Sequence, residues 1–480
     1  MTGFALPMKE PLITLEDVDT LSIKTVREYY LKHVNKGIPK FLSMLCLEGI
    51  EVEYSEGMYI YTKCGRKIYD FTGGFSVLNL GHNHPRIMRA RRRFNEKKQL
   101  EIWKTFLSPY LAALSRNVAA VSPGDLNYVF LCNSGAEANE GALKIAEKYQ
   151  GTGKSKIIYT DLSFHGKTHA TMSVSSCEPS RKYFKLLDNC VSVPYGDWQA
   201  FEQVIKKSLS ENSVENDFIA IILEAVHAEG VVRPPAGYLQ NVRRLCDEYN
   251  ILMIVDEVLC GFGRTGKMFS FEHEDIIPDI VTVAKSLGGG KASVGAYIAR
   301  EGIYNRAYGR LQDSMIHSST FSGLGEECYT AIEAINVLVE EGLVKNSRDM
   351  GEYFLAKLND LKDRHEGIVE DVRGVGLLLC IELRRPADRL VTLFEHLSTS
   401  IRDFSDGFLT GIIVSLMVHK YNILVTPGPH EKRVIMIIPP LIVNRREIDY
   451  FIASMDELFS MNIASMVKAY SSLKVRNMLS

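Results

Sequence analysis

Three short segments decide the fold of this 480-residue chain: IAIILE (residues 219–224), ILMIVD (251–256) and IVTVAK (280–285). Each is an almost wholly apolar run that ends in a charged residue: Glu224, Asp256 or Lys285. Such runs are typical of strands that are buried on both faces of a parallel sheet. The charged residues are 32 and 29 positions apart, about one strand–helix–strand unit each. The sequence therefore predicts that an amine and two carboxylates meet at the carboxyl edge of one sheet, where ligands bind.

These three groups match the chemistry of an enzyme that uses pyridoxal 5'-phosphate (PLP). Such an enzyme needs a lysine that forms an imine and an acid that keeps the pyridine nitrogen protonated. Burial at the mouth of a sheet lowers the pKa of a lysine and makes it nucleophilic. A lysine that simply reaches the surface is the commoner arrangement. Alternation along the strand predicts that Asp256 faces the pocket and that Glu257 faces the opposite side.

Two further predicted strands, at residues 128–132 and 156–160, are also followed by residues that could bind a cofactor. Tyr128–Cys132 leads into a turn in which Ser134 and Glu137 predict a capping box, and free N–H groups at such a helix start suit a phosphate. Taken alone, an ordinary capped helix explains this turn better, but its position close to Lys285 along the predicted sheet edge reverses that preference. Phe164 and His165 follow the next strand, and an aromatic ring there can stack on a flat cofactor. A core phenylalanine and a loop histidine explain that pair equally well.

Composition excludes few classes of protein. Lysine and arginine total 56 against 58 aspartates and glutamates, a net charge of −2, so no strong field favours nucleic acid or an anionic membrane. The nine scattered cysteines indicate reduced thiols. We see no signal peptide and no apolar run of about 18 residues. We expect a cytoplasmic protein with neither a nucleic acid nor a membrane as partner.

The order of strands and helices predicts an α/β fold with two domains. We expect residues 75–335 to form a large PLP-binding domain. Residues 1–74 should join a smaller α+β domain that residues 336–480 complete. The tail after residue 458 is expected to continue a terminal helix, and Arg385–Leu409 is expected to be a helical insertion.

Two other patterns are poor indicators of function. Gly261–Gly266 has the spacing of a dinucleotide-binding loop, but the strand before it ends in two acids, which would repel a pyrophosphate. His82 and His84 stand between Gly81 and Pro85, which indicates a turn, and no third ligand is near. No metal site is expected.

Together these motifs resemble the class III (ω-type) aminotransferases of PLP fold type I, from about residue 56 to residue 448. A weaker likeness, in residues 28–35 and 72–75, points to the putrescine (diamine) aminotransferase branch. The resemblance is carried by Asp70-Phe71 through Gly81-His82-Asn83-His84-Pro85, Asn133-Ser134-Gly135-Ala136-Glu137-Ala138, Phe164-His165-Gly166-Lys167-Thr168, Asp256-Glu257-Val258 through Gly266, Pro278-Asp279-Ile280 through Lys285, Val372-Arg373-Gly374 and Pro439-Pro440-Leu441.

The resemblance implies a transaminase with a mainly parallel seven-stranded sheet and a ping-pong mechanism. It would move an amino group from an amine or amino acid to a keto or aldehyde acceptor. Lys285 would form the internal aldimine and move the proton, and Asp256 would pair with the pyridine nitrogen. Thr320 would reach the phosphate of a neighbouring subunit, which implies a homodimer with shared active sites. The implied cofactor-binding residues are Ser134, Gly135, Ala136, Phe164, His165, Glu224, Asp256, Val258, Lys285 and Thr320, and the implied substrate residues are Phe75, Glu229 and Met436.

Three positions depart from the family pattern. Leu259 replaces a glutamine that contacts the ring oxygen, and Leu324-Gly325 replaces Asn-Pro. Met436 stands where the family has an arginine that binds the substrate α-carboxylate. Arg433, three residues earlier on a strand, should face the other side. We hypothesise that Glu229 receives the distal ammonium of a diamine, or that Met436 lines a pocket for an apolar amine or aldehyde.

Two alternatives stay open. The first keeps the cofactor and changes the reaction to that of an epimerase, aminomutase or decarboxylase of the same fold. The missing carboxylate-binding arginine argues mildly against an amino-acid epimerase. The second is a non-catalytic binding protein on this fold, against which the presence of Lys285, Asp256 and the phosphate-binding turn argues.

Overall fold

The centre of the fold is a seven-stranded sheet in the order β4-β10-β9-β8-β7-β5-β6. The computed structural model describes residues 10–176, 181–212, 216–385, 399–429 and 431–479. In these ranges the strands are β1 (Val52–Glu56), β2 (Tyr59–Thr62), β3 (Lys67–Asp70), β4 (Leu126–Cys132), β5 (Lys156–Thr160), β6 (Cys190–Val193), β7 (Phe218–Leu223), β8 (Leu252–Asp256), β9 (Ile280–Val283), β10 (Gly295–Arg300), β11 (Val369–Val375), β12 (Leu378–Leu383), β13 (Ile423–Leu424), β14 (Thr426–Pro427) and β15 (Val434–Ile437). Strand β10 runs antiparallel to both of its neighbours, and the other pairs in the sheet are parallel. The predicted α/β fold with a mainly parallel seven-stranded sheet is confirmed.

Helices cover both faces of this sheet and continue at both ends of the chain. In the described ranges they span Leu15–Thr20, Ile23–Tyr29, Gly37–Met44, Pro85–Glu96, Pro109–Val121, Gly135–Gln150, His169–Ser173, Trp198–Asn212, Tyr238–Tyr249, Glu301–Tyr308, Gly325–Glu340, Leu343–Arg364, Thr399–Tyr421, Arg445–Phe459 and Ile463–Leu479. A π-helical segment spans Tyr30–Val34, and short 3-10 segments span Ser270–Glu274, Lys285–Gly288 and Leu311–Asp313.

Burial on both faces explains the apolar runs that predicted the central strands. Every residue of β7 and β8 is buried. Ile222 and Ile254 pack on the face that the helix Gly135–Gln150 covers. Leu223 and Val255 belong to the core cluster on the other face. A strand in this position has no solvent-facing side, so its sequence is apolar at every position rather than at every second one.

The register of the parallel strands brings the three charged residues to one edge of the sheet. Leu223 lies opposite Val255, so Glu224 and Asp256 leave the sheet side by side. Asp256 lies opposite Thr282, and Lys285 follows three residues later. Ligands bind at this carboxyl edge in open α/β sheets.

Two smaller four-stranded sheets flank the seven-stranded one, with the orders β1-β2-β3-β13 and β11-β12-β15-β14. Strand β13 pairs in parallel with β3, so residues from both ends of the chain share one sheet. The division into domains at residues 1–74, 75–335 and 336–480 stays a prediction.

The expectation that the tail continues a terminal helix is wrong in one respect. The helix Arg445–Phe459 ends, and a separate helix, Ile463–Leu479, begins after three intervening residues. The break lets the second helix turn back onto the helix Thr399–Tyr421. Of the expected insertion Arg385–Leu409, residues 386–398 lie outside the described residues.

Hydrogen bonds anchor this last helix to the N-terminal part of the chain. Tyr470 donates its hydroxyl to Met44 O at 2.7 Å, and Lys474 Nζ donates to Ser43 O at 2.6 Å. Across the described ranges, no helix has both the length and the apolar character that a membrane span requires.

Candidate active site

Asp256 is the best-anchored side chain at the carboxyl edge of the sheet. Its Oδ2 atom accepts a hydrogen bond from Asn139 Nδ2 at 2.8 Å and lies 2.7 Å from Nδ1 of His165. Its Oδ1 atom accepts from the N–H of Val258 at 2.9 Å. Asn139 is in turn oriented by Thr282, whose hydroxyl donates to Oδ1 at 2.6 Å. The buried carboxylate is therefore held in one orientation from three directions.

Glu224 forms a second anchored carboxylate beside it. Its two oxygens accept from the N–H groups of Phe164 and Ala228, both at 3.0 Å, and His227 Nδ1 lies 3.1 Å from Oε1. Burial alone would raise the pKa of Glu224, but His227, together with His165 and the Ala228 N–H, lowers it to about 2. Burial also acts to lower the pKa of His227, and Glu224 raises it overall. Each member of the pair therefore favours the charged form of the other.

Lys285 opens a 3-10 turn directly after β9. Its φ of 47° is in the left-handed region, which a residue with a Cβ seldom adopts and which is concentrated at functional sites. Burial lowers the pKa of Lys285, although Asp256 and Glu224 act in the opposite direction. A lysine with a lowered pKa has more of the neutral amine that nucleophilic attack requires.

The turn after β4 begins the helix Gly135–Gln150 with a side-chain cap. Ser134 Oγ accepts from the N–H of Glu137 at 3.2 Å. The predicted capping box is wrong in its second half, because Glu137 accepts from the N–H of Asn133 at 2.7 Å instead of that of Ser134. The reason is that Asn133 precedes the cap and turns its own N–H towards the carboxylate.

The start of this helix has the properties of an anion site. In the described part of the chain, the N–H groups of Gly135 and Ala136 donate to no protein acceptor. A Cβ on Gly135 would lie 2.7 Å from Cγ1 of Val258, so only glycine fits between the helix and that side chain. Free N–H groups at a helix start bind phosphate.

These features test whether PLP fits the site. Two free N–H groups suit its phosphate, the anchored carboxylate of Asp256 suits a protonated ring nitrogen, and Lys285 suits its aldehyde. Val258 lies between the anion site and Asp256, where an apolar side chain suits the face of a ring. The residues fit the cofactor.

Comparison with known proteins agrees with this geometry. Residues 46–459 match the family model described as aminotransferase class III. The chain belongs to the class III aminotransferase family. The match covers most of the chain and includes every residue of the sheet edge described above.

Solved structures place this aminotransferase among enzymes of the same fold. An ornithine aminotransferase from Toxoplasma gondii, with PLP at partial occupancy in its active site, is 25% identical with a TM-score of 0.76 over 96% of this chain and 97% of that one. A transaminase from the marine bacterium Virgibacillus is 28% identical with a TM-score of 0.75 over 88% and 94%. An acetylornithine aminotransferase from Elizabethkingia anophelis shares the fold at 24% identity, with a TM-score of 0.70 over 92% and 99%. This protein is thus a PLP-dependent transaminase of fold type I that acts on small amino and keto compounds.

In this aminotransferase, Met436 belongs to a buried apolar cluster. Met436 on β15 is 2% exposed. Leu259 packs against the same cluster and remains partly buried. The buried members of this cluster, which we call the Met436 cluster, are Val226, Ala228, Val231, Cys260, Val375, Leu378, Cys380, Val434, Met436 and Ile438. The position expected to carry an arginine is therefore part of an uncharged, closely packed surface.

The sequence predicts that Arg433 cannot replace the missing arginine, and its contacts agree with that prediction. Its Nη2 atom lies 2.6 Å from Oε1 of Glu382, and its Nη1 atom donates to Leu383 O at 2.9 Å. Val434 and Met436 belong to the Met436 cluster, and Arg433 is not part of it. Its guanidinium is committed to the edge of the C-terminal sheet.

Arg373 lies in the same cross-strand row as Met436, and acids hold it too. It lies opposite Cys380 in the sheet, and Cys380 lies opposite Met436, so Arg373 is two strands away from that methionine. Its Nη1 atom bonds to Glu382 at 2.7 Å and to Asp371 at 3.0 Å, and its Nε atom donates to Gly230 O at 2.7 Å. Arg433 and Arg373 are therefore both paired with carboxylates.

The other expected ligand residues differ in their exposure. Phe75 and Phe164 are 44% and 40% exposed. Thr320 is exposed and Glu229 is half-buried. The carboxylate of Glu229 is close enough to His227 to help raise the pKa of that histidine.

Three residues of the site escaped prediction from the sequence. Asn139 carries an amide on the buried face of a helix, and a polar residue among buried alanines was the available signal. His227 follows Glu224 by three residues, a spacing that allows their contact. Arg264 belongs to the glycine-rich pattern Gly261–Gly266, which has no nucleotide-binding role here. Among the described residues, no cluster of possible metal ligands occurs.

Proposed function

We propose that this aminotransferase prefers amino donors without an α-carboxylate, and diamines in particular. The supporting observation is the buried Met436 in an uncharged cluster where the family carries an arginine. A buried apolar surface repels a carboxylate, because the ion loses its hydration and gains no partner. The likeness of residues 28–35 and 72–75 to the putrescine aminotransferase branch supports the same donor class.

The proposed roles of the residues follow from their positions. When PLP is bound, it supplies the aldehyde and the electron-accepting ring of the reaction. Lys285 Nζ removes the proton from the donor carbon and returns it to the cofactor side in a ping-pong cycle with a keto or aldehyde acceptor. Asp256, oriented by Asn139 and His165, keeps the ring nitrogen protonated. Glu229, half-buried at the opening, receives the distal ammonium of a diamine.

We also propose a homodimer in which each subunit contributes Thr320 to the other site. Thr320 is exposed, and Phe321 beside it is 56% exposed. Further large apolar side chains are exposed, including Leu107 at 97% and Leu311 at 90%. Exposed apolar surface of this kind marks an interface. The eight described cysteines form no disulfide, which fits a cytoplasmic enzyme.

A complementation experiment tests the shared site. Lys285→Ala and Thr320→Glu are each expected to be nearly inactive, the second because its carboxylate repels phosphate. Mixed dimers should regain activity, since one of their two sites has neither change. If the mixture stays inactive while both variants exchange subunits, Thr320 serves its own subunit.

Absorption spectra of the purified holoenzyme test the donor class. The donors are putrescine, cadaverine, an aliphatic monoamine, alanine, glutamate and ornithine, the compound named for the T. gondii relative. We expect amines without an α-carboxylate to convert the aldehyde form of PLP to its amine form. Conversion by α-amino acids alone would refute the donor preference. Turnover without any amine form would indicate an epimerase, aminomutase or decarboxylase instead.

A further inference from the structure

The loop that carries Phe75 has a rare backbone conformation. Gly73, Gly74, Phe75 and Ser76 have φ values of 49°, 58°, 57° and 68°, so four consecutive residues are left-handed. Residues with a Cβ adopt this conformation at a cost, and the strain persists only where the surroundings hold it. The position of Phe75 therefore depends on the contacts that support this turn.

The start of the turn is fixed by Asp70. Its Oδ1 atom accepts from the N–H and hydroxyl of Thr72, at 2.8 and 2.6 Å, and from the N–H of Gly73 at 3.1 Å. Gly73 is so closely packed that a Cβ would lie 2.4 Å from Ile438 O. The turn is thus seated against the chain that immediately follows Met436.

The end of the turn is fixed by Ser76 and Arg264. The hydroxyl of Ser76 donates to Leu259 O at 2.9 Å and accepts from Nε of Arg264 at 3.0 Å. This hydroxyl therefore connects the turn to the loop that follows Asp256. Replacing Ser76 by alanine would remove the hydrogen bonds to Leu259 and Arg264 and only one heavy atom.

Arg264 is fully buried, and its bonding partners are all neutral. Its Nη1 atom donates to Leu377 O at 3.0 Å and to Pro439 O at 2.6 Å, and its Nη2 atom donates to Asn79 Oδ1. No carboxylate of the described residues lies within salt-bridge distance of it. Burial lowers the pKa of this guanidinium to about 9.

A buried cation with no carboxylate beside it destabilises the fold, so Arg264 must have a role other than stabilisation by its charge. Only arginine offers five N–H donors in a rigid plane. Here they hold carbonyl and hydroxyl oxygens of separate chain segments at fixed spacing. A lysine could retain the charge of Arg264 but could not reproduce this arrangement.

We propose that Arg264 is a positioning residue for the substrate side of the active site. Through Ser76 it is connected to Phe75 and Leu259, and through Pro439 to the segment that follows Met436. Arg264 sets their separation without touching the substrate. The inference rests on the proposed function, which assigns the donor to the space beside Phe75 and Met436.

Two variants test this role in the PLP-saturated holoenzyme. Arg264→Lys keeps the charge and loses the planar donors, and Ser76→Ala removes only the connecting hydroxyl. A displacement of about 1 Å at a site can reduce turnover efficiency roughly 100-fold. We expect the KM of the donor to rise about 10-fold or more in Arg264→Lys and less in Ser76→Ala. The cofactor spectrum and kcat should stay close to those of the wild type, because only substrate binding is altered.

Arg243→Lys is the matched control. Arg243 is also largely buried, and it bonds to Asp279 at 2.8 Å. Asp279 precedes β9, whereas Lys285 follows it, so the two lie at opposite ends of that strand. This variant should lower Tm without changing KM. If Arg264→Lys and Ser76→Ala behave in the same way, Arg264 only stabilises the fold and the proposal is overturned. If Arg264→Lys does not fold, Ser76→Ala decides alone.

The measurement uses whichever donor the wild-type enzyme accepts. If that donor proves to be an α-amino acid, the proposed donor preference fails. The KM values of the variants for that amino acid still decide whether Arg264 positions the substrate side.

Discussion

The two sides of the active site are built in different ways. On the cofactor side, Asp256 and Glu224 are each held by three hydrogen-bonding groups, and Asn139 orients one of them in turn. On the proposed substrate side, Met436 and its neighbours make apolar contacts that have no preferred direction. Directional bonds suit one ligand in one pose, whereas an apolar surface excludes charge and accepts several shapes. The comparison supports the proposal that the cofactor side determines the reaction and that the Met436 cluster determines the choice of donor.

The most severe change to the cofactor side is Lys285→Ala. It removes the amine at the centre of the site, and removal of such a group commonly costs on the order of 10⁴-fold or more in turnover. Steady-state rates with the preferred donor measure the loss. Lys291→Ala, a change at an exposed lysine six residues later, should retain the wild-type rate. A Lys285→Ala enzyme with more than a small fraction of the wild-type rate would contradict the assignment.

Asp256→Asn and Glu257→Gln compare neighbouring carboxylates that face opposite ways. Asp256→Asn removes the charge beside the cofactor and should reduce kcat about 10²- to 10³-fold, the usual effect of losing one electrostatic contact in an active site. Glu257 bonds to Ser270 at 2.6 Å and to the N–H of Phe271, and burial raises its pKa to about 7. Glu257→Gln should therefore keep nearly full activity. Equal losses of activity in both variants would show that local packing, and not the charge of Asp256, determines the rate.

Met436→Arg tests the substrate side directly. Hydrogen bonds to charged groups contribute about 1.5–3 kcal/mol, so the kcat/KM for an α-amino acid should rise roughly 10- to 100-fold relative to an amine. The buried charge should also destabilise the fold by about 3 kcal/mol in the absence of substrate. Met436→Leu, of similar volume, is the control and should change neither preference. No shift towards amino acids in a folded Met436→Arg enzyme would show that the cluster does not contact the donor.

His227→Gln is expected to have the smallest effect, and one that depends on pH. The pKa of Glu224 falls from 4.5 to about 2 on folding, so its contribution to stability is present above 4.5 and is lost as the pH falls towards 2. The pKa of His227 is raised from 6.5, so its contribution is present below 6.5 and is lost as the pH rises through the folded-state value. The Tm difference between wild type and variant should be largest between pH 4.5 and pH 6.5, where both contributions are present. A difference that does not vary with pH would indicate that the pair is not ionic.

The sequence alone predicted the central sheet and the meeting of three charged residues at its carboxyl edge. Strands such as β7 and β8 are apolar at every position because both faces are buried. Their order along the chain then brings Glu224, Asp256 and Lys285 together, since parallel neighbours end at the same edge. The sequence also identified Met436 as a departure from the family, because it interrupts an otherwise regular pattern.

Contacts between distant segments could not be predicted in this way. Arg264 bonds to residues 188 and 175 positions away, and nothing in its local sequence identifies them. Glu137 stands at the right spacing for a capping box but bonds to Asn133 instead, a choice that depends on the turn before the helix. The break between the last two helices depends on where the second one packs. Each of these features is a property of the folded chain rather than of a local pattern.

The pairing of β13 with β3 has a consequence for synthesis of the protein on the ribosome. Arg66, beside β3, bonds to Asn422, beside β13, across 356 positions of the chain. At about 5–20 residues per second, β1 to β3 emerge roughly 20 to 70 seconds before their fourth strand. During that interval the open edge of β3 presents unpaired backbone groups to any strand nearby, including that of another nascent chain. These three strands therefore have an edge that is open to wrong pairing until β13 is synthesised.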